Sequence, residues 1–558
     1  MKNIFIKSNL LIFFFILILN TNNIWAQINW SWASSGGAGI EDYSLSIVDG
    51  IDFDENDNTY IIGGISSPAQ IDTLTLNSFG NTNILIAKYD KYGNVIWAKT
   101  AGGKYGGVGR SIKYLDGYLY TCGTFWDTAY FDNHVLIGQS TIFRSTFVAK
   151  LDTNGNYIWL KQGTNPLFGY SACPAMAINS DSINNIYYSS FCNANSLLLD
   201  TIYTDNFNNI TFFIVQLDTS GNINWVHYVE SKPGGWCGQG VDMQIDNNNN
   251  VVYATSNARR DTSVVNTSID YSNMLIGKLN SLGDVLWEYE IGDTTLSIWH
   301  GLPCAMSIDS NDNIYTCGHF INSFYIDTSN HDPGGSFVAK FNGQDGNIIY
   351  SKVFENLGFS NCDYDHYGNV IYSGTFSDSL EVGGITIYPY SPSSSCNMFV
   401  FSYDTSGTFN WVVSYGDYGD ERIISSAANK NMYAIAGNFG DSLILGPYTL
   451  MSDTFNTNSS YFFVATQVKP EDTGIISIPN SDLSFKIYPN PTNSRIILES
   501  SNDLSQFTIE IYSFGSKLIK KIDQTNSNII DVSNLKPGTY FISLKNKEIR
   551  VVKRFIKI

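Results

Sequence analysis

The residue types that most often carry chemistry are present in this sequence, but they do not stand in recognised catalytic patterns. The six histidines form no H-E-x-x-H pair, and the chain has neither a G-x-S-x-G nucleophile turn nor a phosphate-binding glycine loop. His319 is expected at a strand end, as a structural residue rather than a base. Asp417, Asp420 and Glu421 are expected in a solvated loop. No catalytic residue is assigned, although a pair of acids that converges only in the fold would escape this search.

Three segments rich in Asp and Asn imitate the start of a calcium-binding loop, and they follow Asp54, Asp246 and Asp309. A calcium loop also needs a glycine turn and a late bidentate glutamate, which these segments lack. Asp and Asn favour tight turns as well, because their side chains bond to the nearby backbone. Turns are therefore the preferred interpretation. Calcium remains an alternative, and no other cofactor or metal is expected.

Eight cysteines could pair or bind a metal, and they lie at positions 122, 173, 192, 237, 304, 317, 362 and 396. They contain no C-x-x-C motif and no zinc-finger spacing with histidine. Disulfides are compatible with an exported chain. Buried free thiols, one or more disulfides and, least of all, metal ligation remain open.

The N-terminus has the pattern of a secretory signal peptide. Lys2 and Lys7 precede a ten-residue apolar core, Leu10 to Leu19, and cleavage is predicted between Ala26 and Gln27. The apolar core is too short for a permanent membrane span, and no later run is long enough either. No membrane-spanning segment is expected in the mature chain.

Composition excludes several classes of protein. The chain is 43% hydrophobic, 14% aromatic and only 15% charged, which excludes an intrinsically disordered chain. The net charge of −19 disfavours nucleic acid and anionic membranes as partners. Between Ser484 and Ile558, twelve Lys and Arg face six Asp and Glu, a local charge of +6, so the remainder carries −25. An acidic body and a basic tail indicate two separate parts.

The elements that must position any site come from an internal repeat of about 63 residues. A turn followed by an aromatic residue recurs, and its anchors are Trp97, Trp159, Trp225, Trp287, Tyr350 and Trp411, spaced 62, 66, 62, 63 and 61 residues apart. An apolar strand precedes each turn. A second turn-and-strand pattern recurs seven times, with anchors Tyr60, Tyr120, Tyr187, Tyr253, Tyr315, Tyr372 and Tyr433. Each repeat is therefore predicted to form four short antiparallel strands, and the chain to be all-β.

Radial repetition of four-stranded sheets predicts a seven-bladed β-propeller over residues 27–468. The hairpin between the third and fourth strands occurs six times, whereas the third strand occurs seven times. The missing fourth strand is predicted at Ile28 to Trp32, paired antiparallel with Tyr461 to Val468 to complete the last blade. The aromatic anchors are expected to be largely buried between neighbouring blades rather than to form a ligand platform.

These patterns resemble a known family. D-x-x-G-N-x-x-W after F-V-A-K, with G-N-x-Y-x-x-G ahead of it, is similar to the SBBP-type bacterial β-propeller repeats. The resemblance covers Ile28 to about Val468.

The remainder of the chain resembles another family. After a predicted linker, Lys469 to Leu483, the segment Ser484 to Ile558 is predicted to form a small β-sandwich. Its IYPNP and LKPGTY motifs and its basic last strand resemble the type A C-terminal sorting domain of the type IX secretion system, found in Bacteroidetes-type bacteria. The residues that match the motifs are Tyr488, Pro489, Asn490, Pro491, Gly538, Tyr540, Lys553 and Lys557. The resemblance implies the type IX machinery as a partner, tail removal, and delivery to the cell surface or medium.

Three functions remain open for the exported body. The preferred one is binding of an extracellular glycan or protein through loops at one end of the ring, where the connections between second and third strands are longest. A polysaccharide hydrolase or lyase, with acids converging on the central channel, is the alternative. A structural or adhesive surface protein is the third. The sequence does not identify the ligand.

Overall fold

The computed structural model describes residues 30–468 and 485–557, with gaps at 38–45, 67, 78–79, 81, 139–140, 142–143, 165–176, 193–196, 203–210, 230–241, 262–268, 292–301, 321–323, 327–329, 332–333, 390–395, 418, 453–459, 490–491, 501–503, 514–517, 524–526, 537 and 546–549. The predicted signal peptide, its cleavage site at Ala26 and Gln27, and the predicted linker lie outside the described residues. The chain divides into two compact units, Met1–Lys469 and Pro470–Ile558.

The described part of the first unit is all-β. Its strands are β1 (Trp32–Gly37), β2 (Ile47–Phe53), β3 (Thr59–Ser66), β4 (Ala69–Ile71), β5 (Leu74–Leu76), β6 (Thr82–Tyr89), β7 (Val95–Ala101), β8 (Gly107–Leu115), β9 (Tyr118–Trp126), β10 (Thr128–Phe131), β11 (His134–Ile137), β12 (Arg144–Asp152), β13 (Tyr157–Thr164), β14 (Ala177–Ser180), β15 (Ile186–Cys192), β16 (Leu197–Leu198), β17 (Thr201–Ile202), β18 (Thr211–Leu217), β19 (Ile223–Val229) and β20 (Asp242–Ile245). The series continues with β21 (Val251–Asp261), β22 (Ile269–Leu279), β23 (Val285–Ile291), β24 (Leu302–Ile308), β25 (Ile314–Phe320), β26 (Phe324–Tyr325), β27 (Asn330–His331), β28 (Gly335–Phe341), β29 (Ile348–Phe354), β30 (Leu357–Tyr364), β31 (Asn369–Phe376), β32 (Leu380–Val382), β33 (Ile385–Ile387), β34 (Asn397–Asp404), β35 (Phe409–Tyr415), β36 (Arg422–Ala428), β37 (Met432–Phe439), β38 (Ser442–Leu445), β39 (Tyr448–Met451) and β40 (Tyr461–Val468).

Within these described residues, seven antiparallel sheets repeat one order of four strands, as in a β-propeller. They are β2-β3-β6-β7, β8-β9-β12-β13, β14-β15-β18-β19, β20-β21-β22-β23, β24-β25-β28-β29, β30-β31-β34-β35 and β36-β37-β40-β1, here called sheets one to seven. In the first six the chain supplies the strands consecutively, as the repeat predicts. The fourth strand of sheet seven, β1, comes from the other end of the unit, and β4 and β5 extend this sheet beyond β1 to six strands.

That fourth strand lies four residues further along than predicted. The pairing with β40 is antiparallel, as predicted, but it runs from Trp32↔Thr466 to Gly36↔Phe462. Upstream of β1, Ser31 adds an amide hydrogen bond of 2.8 Å to the carbonyl of Thr466. The expected strand at Ile28 to Trp32 is therefore wrong in its bounds, because the ladder with β40 begins at Trp32 and continues to Gly36. Ile28 and Asn29 lie outside the described residues.

Apolar strands form the core because both faces of each sheet are covered. Alternate side chains of a strand point to opposite faces. Ile84 and Ile86 of β6 accordingly pack towards sheet two, whereas Leu85 and Ala87 pack towards sheet seven. The second and third strands read as continuous apolar runs for this reason. All seven predicted tyrosine anchors are fully buried.

The aromatic anchors on the fourth strands pack against the next sheet. Trp32, Trp97, Trp159, Trp225, Trp287 and Tyr350 lie over the turn glycines Gly93, Gly155, Gly221, Gly283, Gly346 and Gly407, where a Cβ would come within 2.6–3.2 Å of each ring. The indole Nε1–H of Trp97 also donates to the carbonyl of Thr153 at 3.0 Å. Of the predicted anchors Trp287 is buried, and the other five are partly buried. This agrees with the expectation that the anchors are largely buried between neighbouring sheets.

The connections between second and third strands form β-ribbons in six sheets: β4–β5, β10–β11, β16–β17, β26–β27, β32–β33 and β38–β39. Some ribbons bond to the fourth strand of the preceding sheet. β4 pairs with β1 through Gly36↔Ile71, and Asp200 N–H donates to the carbonyl of Gln162 at 2.7 Å. These connections, which the sequence predicts to form a binding rim, thus help to cover exposed strand edges.

The second unit contains two antiparallel sheets. Its elements are β41 (Phe485–Tyr488), β42 (Arg495–Ser500), a 3₁₀ helix (Leu504–Gln506), β43 (Thr508–Ser513), β44 (Leu518–Asp523), β45 (Ile529–Asp531), β46 (Gly538–Lys545) and β47 (Arg550–Lys557). The sheets are β41-β42-β45 and β44-β43-β46-β47. Ile496, Ile509, Ile542 and Phe555 are buried in a core that both sheets share.

Candidate functional site

The first unit contains a polar cavity of about 610 Å³ that all seven first strands line. These strands come together because the first strand of each sheet contacts that of the next, and β36 contacts β2. Acids, bases, amides and hydroxyls line the cavity. They include Asp49, Asp52, Arg110, Lys113, Asn179, Asp242, Gln244, Ser360, Asn361 and Asp363.

β-Bulges change which side chains the first strands direct into this cavity. Five of these strands contain one extra residue at the equivalent position: Asp49, Arg110, Cys304, Ser360 and Ile424. A bulge bends the strand and re-aims the side chain of the extra residue. All five bulge residues line the cavity.

The acids of sheet one are paired with the bases of sheet two. Arg110 Nη1 lies 3.0 Å from Asp49 Oδ2, and Lys113 Nζ lies 3.4 Å from Asp52 Oδ2. Burial raises the pKa of Asp49 to about 6, although the Arg110 charge opposes this shift. This side of the cavity therefore has nearly balanced charge.

Two other acids, on sheets four and six, form no ion pair within the described part of the chain. Asp242 accepts hydrogen bonds of 2.7 Å from the backbone N–H groups of Met243 and Met306. Burial raises its pKa to about 6, against these bonds. Asp363 accepts a hydrogen bond from the Ser426 hydroxyl. Burial raises the pKa of Asp363 to about 7, and the charge of Asp242 adds to the shift.

Cys304 and His319 form a contact beside the cavity. Cys304 Sγ lies 3.4 Å from His319 Nδ1, and both residues are half-buried. Burial raises the pKa of the thiol to about 12 and lowers that of the imidazole. Both groups are thus held neutral, which disfavours a thiolate nucleophile. His319 lies near the end of β25, as the sequence predicts.

Other cysteines of the described residues are free thiols. They are Cys122, Cys317, Cys362 and Cys396. Cys173, Cys237 and the Cys192 side chain lie outside the described residues, so disulfides among these three stay an open prediction.

The Asp–Asn segments that imitate calcium loops form turns. Asp54 Oδ1 accepts the backbone N–H groups of Asn56 and Asn58 at 3.0 and 2.9 Å, and its Oδ2 accepts the Asn58 amide at 2.8 Å. Asp246 and Asp309 make the same set of bonds. These carboxylates close the turns between first and second strands.

Glu421 does not lie in solvent, contrary to the sequence expectation. Its side chain is fully buried and accepts hydrogen bonds from Gly419 N–H at 3.1 Å and the Asn397 amide at 3.4 Å. Burial raises its pKa to about 7. Asp420 is half-exposed, and Asp417 accepts the Ser442 hydroxyl. The prediction failed for Glu421 because the loop folds back on Asn397.

The predicted sorting-motif residues lie in the second unit. β41 ends at Tyr488 before Pro489, as expected for a residue without an N–H group, and Asn490 and Pro491 lie outside the described residues. Gly538 begins β46 opposite Lys557, and Lys553 pairs with Ile542 through the backbone. Tyr540 stacks on Phe555 with ring centroids 5.6 Å apart.

Lys557 lies in the interior of the second unit. Its side chain is buried, and its backbone bridges to Thr492.

Residues 486–558 match the family described as "Secretion system C-terminal sorting domain". The second unit is therefore a sorting domain of the type IX secretion system, as its motifs indicated. Such a domain indicates export to the cell surface or the medium. No helix in the described residues is both long and apolar enough to cross a membrane.

Solved structures with a similar fold include β-propellers. The quinohemoprotein alcohol dehydrogenase from Comamonas testosteroni is 10% identical with a TM-score of 0.37, covering 80% of this chain and 78% of its own. The β-propeller domain of the Trilobed protease from Pyrococcus furiosus is 6% identical with a TM-score of 0.37, covering 75% and 98%. Polysaccharide lyase Uly1 is 8% identical with a TM-score of 0.42, covering 76% and 90%. At these scores the likeness carries no argument about ligand or chemistry. No curated protein matches this sequence.

Sequence reasoning missed the cavity acids Asp242 and Asp363. Neither acid belongs to a short sequence motif that would mark it as functional. The signal lies in the first strands, where polar residues occur two to five positions before the Asp or Asn of the turn that leads to the second strand.

Proposed function

We propose that the protein is a secreted or surface-attached, seven-bladed β-propeller that binds a glycan in its axial cavity. A secretory signal peptide cut between Ala26 and Gln27 would bring the chain to the periplasm, and the type IX sorting domain would then direct it outward. The body would be of the SBBP repeat type. The observation that carries the binding proposal is the polar cavity lined by all seven first strands.

Contacts between sheets seven and one support a closed ring of seven blades. The Asn431 amide donates to Asp57 Oδ1 at 3.2 Å, and the Trp32 ring lies over Gly93. β1 pairs with β40 inside sheet seven. These contacts join the two ends of the series in the way that other neighbouring sheets are joined.

The chemistry of the cavity favours a glycan over a protein ligand. Its walls offer carboxylates, amides, hydroxyls and two basic groups, which can hydrogen-bond to sugar hydroxyls. The centre of a protein interface is instead usually apolar and aromatic. A protein ligand at the outer loops remains an outcome of the test.

The test is a glycan-array screen of the full mature chain, followed by calorimetry with the best ligand. Ser360 is the bulge residue of β30 and lines the cavity, and its side chain forms no hydrogen bond to another described residue. Ser360→Trp should fill the cavity and lower affinity at least about tenfold, while leaving the melting temperature nearly unchanged. Ile96→Trp is the control, because Ile96 is exposed on the fourth strand of sheet one. Equal binding by both variants would place the ligand elsewhere.

One observation favours the alternative of a polysaccharide hydrolase or lyase. The raised pKa values of Asp242 and Asp363 would allow one carboxyl to donate a proton near neutral pH while the other is ionised. A reducing-sugar and unsaturated-product assay on every array ligand distinguishes this from binding alone. Turnover that is lost in both Asp→Asn variants would establish the enzyme.

A further inference from the structure

The charges around the cavity are unevenly distributed. Asp49 and Asp52 have Arg110 and Lys113 as cation partners, whereas Asp242 and Asp363 have none within the described part of the chain. The other titratable groups that line the cavity are Cys304, Asp309, Cys362, Tyr364 and His366, and Asp309 is already occupied by turn donors and the Tyr315 hydroxyl. The charge of Lys113 lowers the pKa of both Asp242 and Asp363, but Lys113 is paired with Asp52. Sheets four and six thus contribute two acids and neither Lys nor Arg to the cavity lining, and this side is the more electronegative one.

From this asymmetry we infer that the cavity selects a glycan bearing a positively charged amino group, with the ammonium held by Asp242 and Asp363. The inference rests on the proposed function and narrows its ligand class. A polyanionic glycan would place like charges beside these acids, which costs binding energy. A neutral glycan would leave them without a counter-charge.

A metal ion is a poorer occupant of the same position. Within the described residues no three His, Cys, Asp or Glu side chains are grouped closely enough to hold one. Both oxygens of Asp242 already accept a backbone N–H, from Met243 and Met306, and Asp363 accepts Ser426, so few lone pairs stay free. An ammonium group needs only one hydrogen bond to each carboxylate.

The affinity for a cationic glycan should depend on pH, and the ionisation of Asp242 and Asp363 determines the direction of the change. A bound cation favours the ionised carboxyls, and their pKa values lie at about 6 and about 7. Affinity for a permanent cation should therefore rise between pH 5 and pH 8, with proton release on binding. Affinity for an uncharged glycan should not follow this curve.

The experiment compares two glucosamine tetramers on the full mature chain by calorimetry. One carries quaternised trimethylammonium groups, whose charge does not titrate, and the other is N-acetylated and neutral. At pH 7.5 the cationic tetramer should bind about tenfold more tightly, the effect of one charged contact. Asp242→Asn and Asp363→Asn should each remove most of this preference. Glu381→Gln makes the same charge change at an exposed residue on β32 and should leave it intact.

The outcomes separate this inference from the proposed function. Equal affinity for both tetramers, unaffected by the two Asp→Asn variants, overturns the inference while glycan binding stands. A preference that Glu381→Gln also removes reflects the overall negative charge and overturns it too. If no glycan of any kind binds, on the array or in calorimetry, the proposed function fails first.

Discussion

The turn glycines between third and fourth strands are constrained twice, by backbone conformation and by an aromatic ring. Gly283 has φ of +89° and lies under Trp225, where a Cβ would meet the ring at 2.9 Å. Gly368, in the turn between the first and second strands of sheet six, has φ of +90°, but a Cβ there would meet nothing within 4 Å. Gly283 is therefore constrained by both its φ angle and the ring, whereas Gly368 is constrained by its φ angle alone.

Gly283→Ala should destabilise the first unit more than Gly368→Ala does. Both substitutions place a Cβ in the left-handed region, which costs about 1–2 kcal/mol. Gly283→Ala adds overpacking against the indole, a further ~1–3 kcal/mol. Urea unfolding of the two variants measures the difference. Equal free energies of unfolding would show that the ring moves aside freely.

Asp363 should make stability fall as the pH rises through neutrality. Its pKa is about 7 in the fold, above the ordinary 3.8, so the native state binds the proton more tightly than the unfolded state does. The stabilisation is complete below about pH 4 and is lost as the pH rises through 7. Asp363→Asn should flatten the melting-temperature profile between pH 5 and pH 8. A variant profile parallel to the wild type would contradict this.

The sequence correctly predicts the role of residues whose hydrogen-bond partners lie close by in the chain. The turn Asp residues bond to atoms two and four positions away, so their role could be read from the sequence. Asp242, by contrast, meets Met306 and the charge of Asp363 only when distant repeats come together. Glu421 is the clearest failure, since only the fold shows that its loop returns to Asn397.

At the scale of elements, the repeat predicted the strand order because each hairpin is short and consecutive. The bulges at Asp49 and Arg110 could not be predicted, because a bulge is a property of two strands in register. The start of β1 could not be predicted for the same reason, because it depends on the register between two strands. The apolar residues near Trp32 are compatible with several registers, and only the pairing with β40 selects one of them.

Removing residues 27–34 should lower the melting temperature of the first unit by more than 10 °C or prevent folding. The deletion leaves the β40 edge unpaired and exposes Phe462 and Val464, which pack with Trp32 in one cluster. Differential scanning calorimetry measures the change. Ser31→Ala, which removes one hydrogen bond to Val468 N–H, should shift the transition only slightly. An unchanged transition after the deletion would show that β1 is dispensable.

At the scale of the whole molecule, deletion of residues 470–558 should separate folding from export. The first unit has its own cores, so its melting transition should persist in the truncated protein. The truncated protein should nevertheless accumulate in the periplasm, while the full chain reaches the surface or medium without its tail. Fractionation with immunoblotting checks both. Export of the truncated form at the normal level would show that the sorting domain is not required.

The pairing of β1 with β40 also determines the order in which the first unit is synthesised, folded and exported. Ser31 bonds to Val468 across 437 residues, so β1 cannot complete sheet seven until β40, the last strand of the unit, has been made. Loop closure over such a span adds little equilibrium cost, since each doubling of length adds only about 0.6 kcal/mol, but non-local pairing is slow. The open intermediate, with β40 unpaired, is the species most exposed to aggregation. Because the sorting domain comes after β40 in the sequence, a chain long enough to be recognised for export already contains every strand needed to finish folding.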